Sequence, residues 1–318
     1  MIFDEPHPRF LFRYSFIQTF FASYKFKKLF EYPIFSKSKE VVLEESGIRL
    51  KSYLTEPYNP PRGLLVLIHG WEGSADSAYI LKTGEYFYQK GFSILRVNLR
   101  DHGDTHSWNE GLFHGARLDD LKMAMKKIFK LIPSLPVYLV GFSLGGNYVL
   151  RYANSYSSQK SRLKKVIAIS PAIDPYRSTE KMDQNPFLRK YFLKAWSESL
   201  IKKQKAFPEI YEFGSHLKSK TVMELTEAVV PKYSPFINAR EYFQSYTFSG
   251  DTFKNLKIDS YILCAHDDPV IDTSDFYKIS FHKNLKIFLT NHGGHNGFFQ
   301  TDFFCPWYLP WMEEIFML

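Results

Sequence analysis

The stretch VYLVGFSLGGNYVLRYA, Val137 to Ala153, sets an apolar run against Gly-Phe-Ser-Leu-Gly-Gly and then a pattern of helical period. Val137–Val140 reads as a buried strand of a parallel sheet. A serine at the point where strand becomes helix takes a strained backbone conformation with chain packed closely around it. The positions two before and two after it therefore have to be small. Gly141 and Gly145 meet that need. Such a turn lifts a hydroxyl clear of the sheet's carboxyl edge and aims the following backbone N–H groups at whatever it attacks, the arrangement of a G-x-S-x-G nucleophile elbow. Ser143 is the candidate nucleophile. The pentapeptide alone fits an ordinary turn equally well, and its context gives it weight. In the helix that follows, Asn147, Leu150, Arg151 and Asn154 fall on one face and Tyr148, Val149 and Tyr152 on another, apolar one.

Outward from this motif, short apolar runs alternate with amphipathic segments. EVVLEESG and IRLKSYL alternate with period two around Ser46-Gly47, which predicts an antiparallel hairpin at a sheet edge. Residues 63–70, 92–100, 137–143, 164–170, 259–268 and 285–295 are each strand-like and end in polar or glycine residues. Helical patterns lie at 77–90, 117–131, 144–157, 272–281 and 306–317. This alternation predicts an α/β fold with a mostly parallel sheet and helices on both faces. One interval breaks the rhythm: 174–250 is far longer than a single crossover needs and holds helical patterns, aromatic residues and prolines. The expected organisation is an N-terminal aromatic helical segment (1–39), a core (40–173 and 251–318) and a helical cap inserted at 174–250. Surface helices remote from any site are the plainer reading of that insertion.

In an open α/β sheet, ligands bind outside the carboxyl ends of the strands, so residues just after each strand converge in space. A serine needs a base within hydrogen-bond reach, itself oriented by an acid. After the last strand, in NHGGHNGF, His295 is the preferred base because the Gly-Gly pair lets it leave the strand; His292 competes. After the preceding strand, in CAHDDPVI, Asp268 is the preferred acid, with Asp267 more suited to binding the loop and Asp174 in SPAIDP a third candidate. The chain order Ser, Asp, His is that of α/β-hydrolases. The oxyanion formed by attack needs preorganised donors. The N–H of Leu144 supplies one, and the N–H of Trp71 in HGWEGS is expected to supply the other, with Gly70 allowing close approach and His69 as a buttress.

The 318 residues suffice for a complete core. With 45% hydrophobic and 23% charged residues, disorder is not expected. The net charge of +8 is dispersed rather than blocked, so no nucleic-acid partner is expected. Cys264 and Cys305 offer neither a disulfide framework nor metal-ligand spacing, which points to a reducing, cytoplasmic setting. His102, Asp104, His106 and His114 invite a metal reading, but such a loop commonly carries buttressing hydrogen bonds; neither metal nor cofactor is expected. MIFDEPHPRF lacks the pattern of a signal peptide. Ten of the residues 10–32 are Phe or Tyr, yet the longest uncharged stretch there, Tyr14–Tyr24, is eleven residues. That is short of the ~20 a membrane-spanning helix needs. Phe10, Tyr14, Ile17, Phe21 and Tyr24 share a helical face, with Lys25, Lys27 and Lys28 following. This suits a helix docked on the body, which is the plainer reading, or an interfacial helix in peripheral contact with a membrane.

HGWEGS, NLRDHGD, GFSLGGNYVLRYA, SPAIDP, AHDDPVI and NHGGHNGF, taken in order, resemble the motifs of the YheT and plant embryogenesis-associated group of the α/β-hydrolase superfamily, relatives of the mammalian abhydrolase lipid esterases. The resemblance covers about 40–318. It implies a Ser-His-Asp carboxylic ester hydrolase with an inserted cap, acting on short-chain or lipid-derived acyl esters, with nucleophile, acid and base mapping onto Ser143, Asp268 and His295. Where many relatives have Arg-Gly-His-Gly, this chain has RDHGDTH. Acyl transfer would use the same residues, and a non-catalytic binding module is the reading from another class. Phe187, Tyr191, Phe192, Trp196 and Phe207 suggest an apolar acyl pocket, although helix-spaced aromatics also serve as plain core.

Overall fold

A computed structural model describes residues 5, 7–23, 32–156, 162–301 and 305–318. Among these, eight strands form one sheet: β1 (Lys39–Glu45), β2 (Ile48–Thr55), β3 (Leu64–Ile68), β4 (Ser93–Val97), β5 (Val137–Phe142), β6 (Leu163–Ile169), β7 (Ser260–Ala265) and β8 (Leu285–Thr290). Their order is β1-β2-β4-β3-β5-β6-β7-β8. The predicted hairpin is the antiparallel β1–β2 pair at one edge, β2 runs antiparallel to β4, and the remaining neighbours are parallel. Side chains alternate across the sheet with period two. Leu64, Val66 and Ile68 of β3 join the core beneath α3 (Leu118–Leu131) and α4 (Leu144–Ser155). Leu65 and Leu67 join the opposite core, beneath α2 (Ala78–Gln89) and α9 (Tyr308–Met317). The mostly parallel sheet with helices on both faces, expected from the alternating runs, is thus present.

Between β6 and β7 the chain passes through α5 (Pro175–Gln184), α6 (Pro186–Ala206), α7 (Val222–Tyr233) and α8 (Ala239–Gln244). Side chains cap all four: Asp174 accepts from the N–H of Arg177, Asn185 from those of Phe187 and Leu188, Thr221 from Glu224, and Asn238 from Glu241. The N-terminal segment contributes α1 (Ser15–Ser23), whose Gln18, Thr19 and Ala22 are buried. Of the face expected to pack, Phe10 and Tyr14 are exposed and Phe10 lies in a separate 3-10 turn, so Gln18, Thr19 and Ala22 do the packing instead; Tyr24 and the following Lys25, Lys27 and Lys28 lie outside the described residues. No helix among the described residues is long and apolar enough to cross a membrane.

Two local expectations need correction. The helix expected at 272–281 is only a 3-10 turn, Thr273–Lys278. Asp272 accepts from the N–H of Ser274, and the chain beyond is drawn into a parallel bridge between Gly250 and Ile279. In α4, Asn147 and Leu150 are buried along with the apolar face. Asn147 is accommodated there because its Nδ2 donates to the carbonyls of Ala172 at 2.8 Å and Tyr246 at 2.9 Å.

Candidate active site

Ser143 stands between β5 and α4 with φ +53° and ψ −120°, a conformation strained for a residue with a side chain. The flanking glycines are required by contact. A Cβ on Gly141 would lie 2.1 Å from the Gly145 carbonyl oxygen, and one on Gly145 would lie 2.4 Å from that of His69. The backbone of the loop after β3 is equally close, since a Cβ on Gly70 would meet Ser143 Cβ at 3.0 Å. Trp71 and Leu144 both line a cavity with Ser143. His69 is fully buried and accepts from the N–H of Leu99 through Nε2 at 3.0 Å, in the buttressing position expected of it.

His295, in the loop after β8, meets the serine. Ser143 Oγ donates to His295 Nε2 at 2.9 Å, and Nδ1 donates to Asp268 at 2.9 and 3.2 Å. Asp268 is buried at the end of β7. Its Oδ1 also accepts from the N–H groups of Val270 and Ile271 at 2.8 and 2.9 Å, so its orientation is set from three directions. The rivals lie elsewhere. Asp267 accepts from the N–H of Gly294 at 2.8 Å and faces His292 at 3.5 Å, a parallel pair one residue removed. Asp174 caps α5 by accepting from Arg177. His102, Asp104, His106 and His114 form no metal-binding group among the described residues. His102 Nε2 instead accepts from the N–H of Glu72 at 3.1 Å, and burial holds its pKa well below the ordinary value. Burial also lowers His106 to about 4, and its Nε2 meets Ser199 Oγ at 2.9 Å.

Ser143 faces two cavities of opposite character. One is lined by Leu112, Phe113, Met182, Phe192, Trp196, Val222, Val229 and Ile271. Here Trp71 stacks on Phe192 at 5.5 Å and meets Trp196 edge-on at 5.3 Å. The other cavity, which His295 also lines, is bordered by Glu72, Ser74, Asp104, Tyr191, Glu198 and Lys202. Desolvation, reinforced by Asp101, pushes the Glu72 carboxyl up to about 8. Of the five aromatics expected to form an acyl pocket, Phe192 and Trp196 line the apolar cavity and Tyr191 the polar one. Phe187 is exposed, and Phe207 packs instead with Leu200, Tyr211 and Phe213.

This architecture matches a family model described as alpha/beta hydrolase fold over residues 63–302. The chain belongs to this family. It is 22% identical over 258 residues to the monoacylglycerol lipase of Saccharomyces cerevisiae, covering 77% of the chain and 57% of the relative. It thus spans less than two thirds of that protein's length. YheT of Escherichia coli is 22% identical over 254 residues, 79% of this chain and 74% of its own. Among solved structures, the Pyrococcus furiosus esterase Pf2001 superposes with a TM-score of 0.57 at 14% identity, covering 99% of this chain and 97% of its own, a likeness of fold. The relatives it matches carry lipase and esterase names.

Several supports of the site have no signature in the sequence. Thr19 Oγ1 on α1 accepts from the His295 N–H at 3.0 Å, and Ser170 Oγ accepts from Asn296 at 3.2 Å. Lys181 on α5 donates to the carbonyls of Asp268 and Ile271, each at 2.7 Å. The sheet topology announces the strand ends but says nothing of what braces them from distant segments.

Proposed function

We propose that this protein hydrolyses carboxylic esters carrying an apolar acyl group, with α5–α8 as a cap over the site. Ser143 attacks the carbonyl while His295 Nε2 takes its proton, and the N–H groups of Trp71 and Leu144 hold the oxyanion. Asp268 keeps Nδ1 protonated and stabilises the imidazolium. Collapse of the intermediate expels the alcohol with a proton from His295, and water activated by the same imidazole then releases the acid from Ser143. The observation that carries this reading is the unbroken hydrogen-bond chain Ser143–His295–Asp268 opening onto an apolar cavity. The polar cavity beside His295 leaves room for a water next to the acyl-enzyme, which favours hydrolysis over acyl transfer. The name of the yeast relative makes monoacylglycerols the first lipid esters to try.

The test is labelling with a fluorophosphonate probe, location of the adduct by peptide mass, and turnover of p-nitrophenyl esters of increasing acyl length. Expected are an adduct on Ser143, none in Ser143→Ala, and turnover that rises with chain length before falling. A folded protein that neither labels nor turns over any ester would return the chain to the binding-module reading.

A further inference from the structure

Two segments far apart in the sequence, residues 7–23 and 184–197, share one aromatic surface. Phe16 of α1 meets Phe187 of α6 edge-on at 6.0 Å and lies against Phe20 at 6.4 Å. Phe10, Tyr14, Phe16, Phe20, Phe187 and Tyr191 all stand exposed, Phe10 to 82%, Phe187 to 74% and Phe16 to 50%. These rings are not core left uncovered, because α1 uses its other side, with Gln18, Thr19 and Ala22, to pack on the body. So many exposed aromatics in one region mark an interaction surface.

Charge selects the occupant. Arg9, Arg13, Arg189, Lys190 and Lys194 lie within the two segments, against Glu5, Asp183 and Glu198 at their borders, in a chain of net charge +8. Arg9, Arg13, Lys190 and Lys194 are exposed, and Lys194 also reaches Glu198 at 3.8 Å. Aromatic rings flanked by cations suit the boundary between headgroups and acyl chains of an anionic membrane. A second copy of the chain would set these cations against one another across a two-fold axis. The surface is also continuous with the site: Ser23 at the end of α1 and Tyr191 line the polar cavity together with Ser143 and His295.

We infer that this two-segment surface docks on an anionic lipid bilayer and sets the mouth of the site against it, so that lipid esters enter from the membrane rather than from water. The route to the serine rests on the function proposed above; docking itself does not.

The experiment is co-sedimentation of the full chain with vesicles of phosphatidylcholine alone or mixed with phosphatidylglycerol, at low and high salt. Wild type is expected to bind the mixed vesicles, to prefer them over phosphatidylcholine and to release as salt rises. Phe16→Ser/Phe187→Ser should bind at least about tenfold more weakly, since two rings no longer leave water. Phe10→Ser, at the most exposed ring, should weaken binding by about threefold or more. Arg13→Gln/Lys190→Gln should lose the preference for phosphatidylglycerol. Thermal melts and turnover of a water-soluble short ester, both at wild-type levels, establish that the variants are folded. Wild-type binding no better with phosphatidylglycerol than without it would overturn the inference, as would serine variants that bind like wild type. A concentration-dependent dimer abolished by the same serine variants would assign the surface to a second copy. Ser143→Ala should dock like wild type, and a wild type that docks but neither labels nor turns over any ester would refute the proposed function alone.

Discussion

Lys203 of α6 ties the inserted helices to the core, and replacing it tests that connection. Its side chain is 0% exposed and that of Asp101 3% exposed, with the ammonium 3.0 Å from Asp101 Oδ1. It also donates to the carbonyls of His106 and Gly111 at 3.4 Å and to that of Asn109. Lys203→Met keeps an unbranched apolar side chain of similar length but removes the cation and its position over the Phe207 and Tyr211 rings. Breaking a buried pair at one partner costs about 3–5 kcal/mol, because the other charge is left uncompensated. Here that charge is Asp101, whose remaining direct donor is the Phe113 N–H at 2.7 Å. Burial already raises Asp101 to about 6 while Lys203 opposes the rise, so the variant's Asp101 moves higher still. The native state then holds a proton that the unfolded chain, with a carboxyl near 3.9, has released. The penalty is therefore full above the folded pKa and shrinks as pH falls through it toward about 4, by up to ~1.4 kcal/mol per unit. Urea unfolding followed by tryptophan fluorescence at pH 8 and pH 5 should show the larger loss at pH 8. Asp101→Asn/Lys203→Met should recover most of it. Equal losses at both pH values, or a double variant as unstable as the two single losses summed, would refute the reasoning. Since α6 also carries Phe192 and Trp196 onto Trp71, KM for long-acyl esters should rise more than for short ones.

The elbow makes a sharper steric prediction. Gly145→Ala sets a methyl against two backbone carbonyls at 2.4 and 2.5 Å and should cost at least about 3 kcal/mol or prevent folding. Its neighbour Gly146→Ala meets Pro171 Cβ at 3.0 Å and should cost about 1 kcal/mol by the same unfolding assay. For the acid, Asp268→Asn should lower kcat by ~10⁴ with the fold retained, because His295 loses the acceptor that sets its tautomer. Asp267→Asn, which touches the half-exposed His292 and not His295, should stay within about threefold of wild type in the same turnover assay.

The strands were legible because a parallel sheet covered on both faces demands continuous apolar runs, and 63–70 and 137–143 contain little else. The residues that meet at the site were legible because the topology brings strand ends together, so Asp268 and His295 could be sought after two particular runs. Choosing between Asp267 and Asp268 needed the fold of one turn, in which Asp268 alone accepts from both Val270 and Ile271. Lys181 and Lys203 could not be read. In the sequence they belong to charged helical faces, KMDQ and IKKQK, that look solvated. Lys203 is buried and Lys181 half-buried because their ammonium groups meet carbonyls 87 to 97 residues away and, for Lys203, the Asp101 carboxylate. Nor does a hydrophobic pattern announce Asn147, whose amide is satisfied only once two distant carbonyls arrive.

The loop carrying His295 shows why the N-terminal segment belongs to the site's design. Gly294 has φ +54°, and a Cβ there would meet Gln18 Cβ and the Ser15 carbonyl at 2.6 Å, so α1 lies directly on the loop. Gln18 Nε2 donates to the carbonyls of Phe12 and Phe299, and its Oε1 accepts from the Phe299 N–H. Thr19 takes the N–H of His295 itself. Fixing an imidazole to within a few tenths of an ångström of both a serine and a carboxylate requires such external bracing, since a loop with two adjacent glycines has little stiffness of its own. The side of α1 that braces this loop is opposite the aromatic surface proposed for membrane docking. A force or displacement applied to α1 at a lipid surface would therefore act on His295 through Thr19 and Gln18, with the sheet and the nucleophile elbow standing apart from that path.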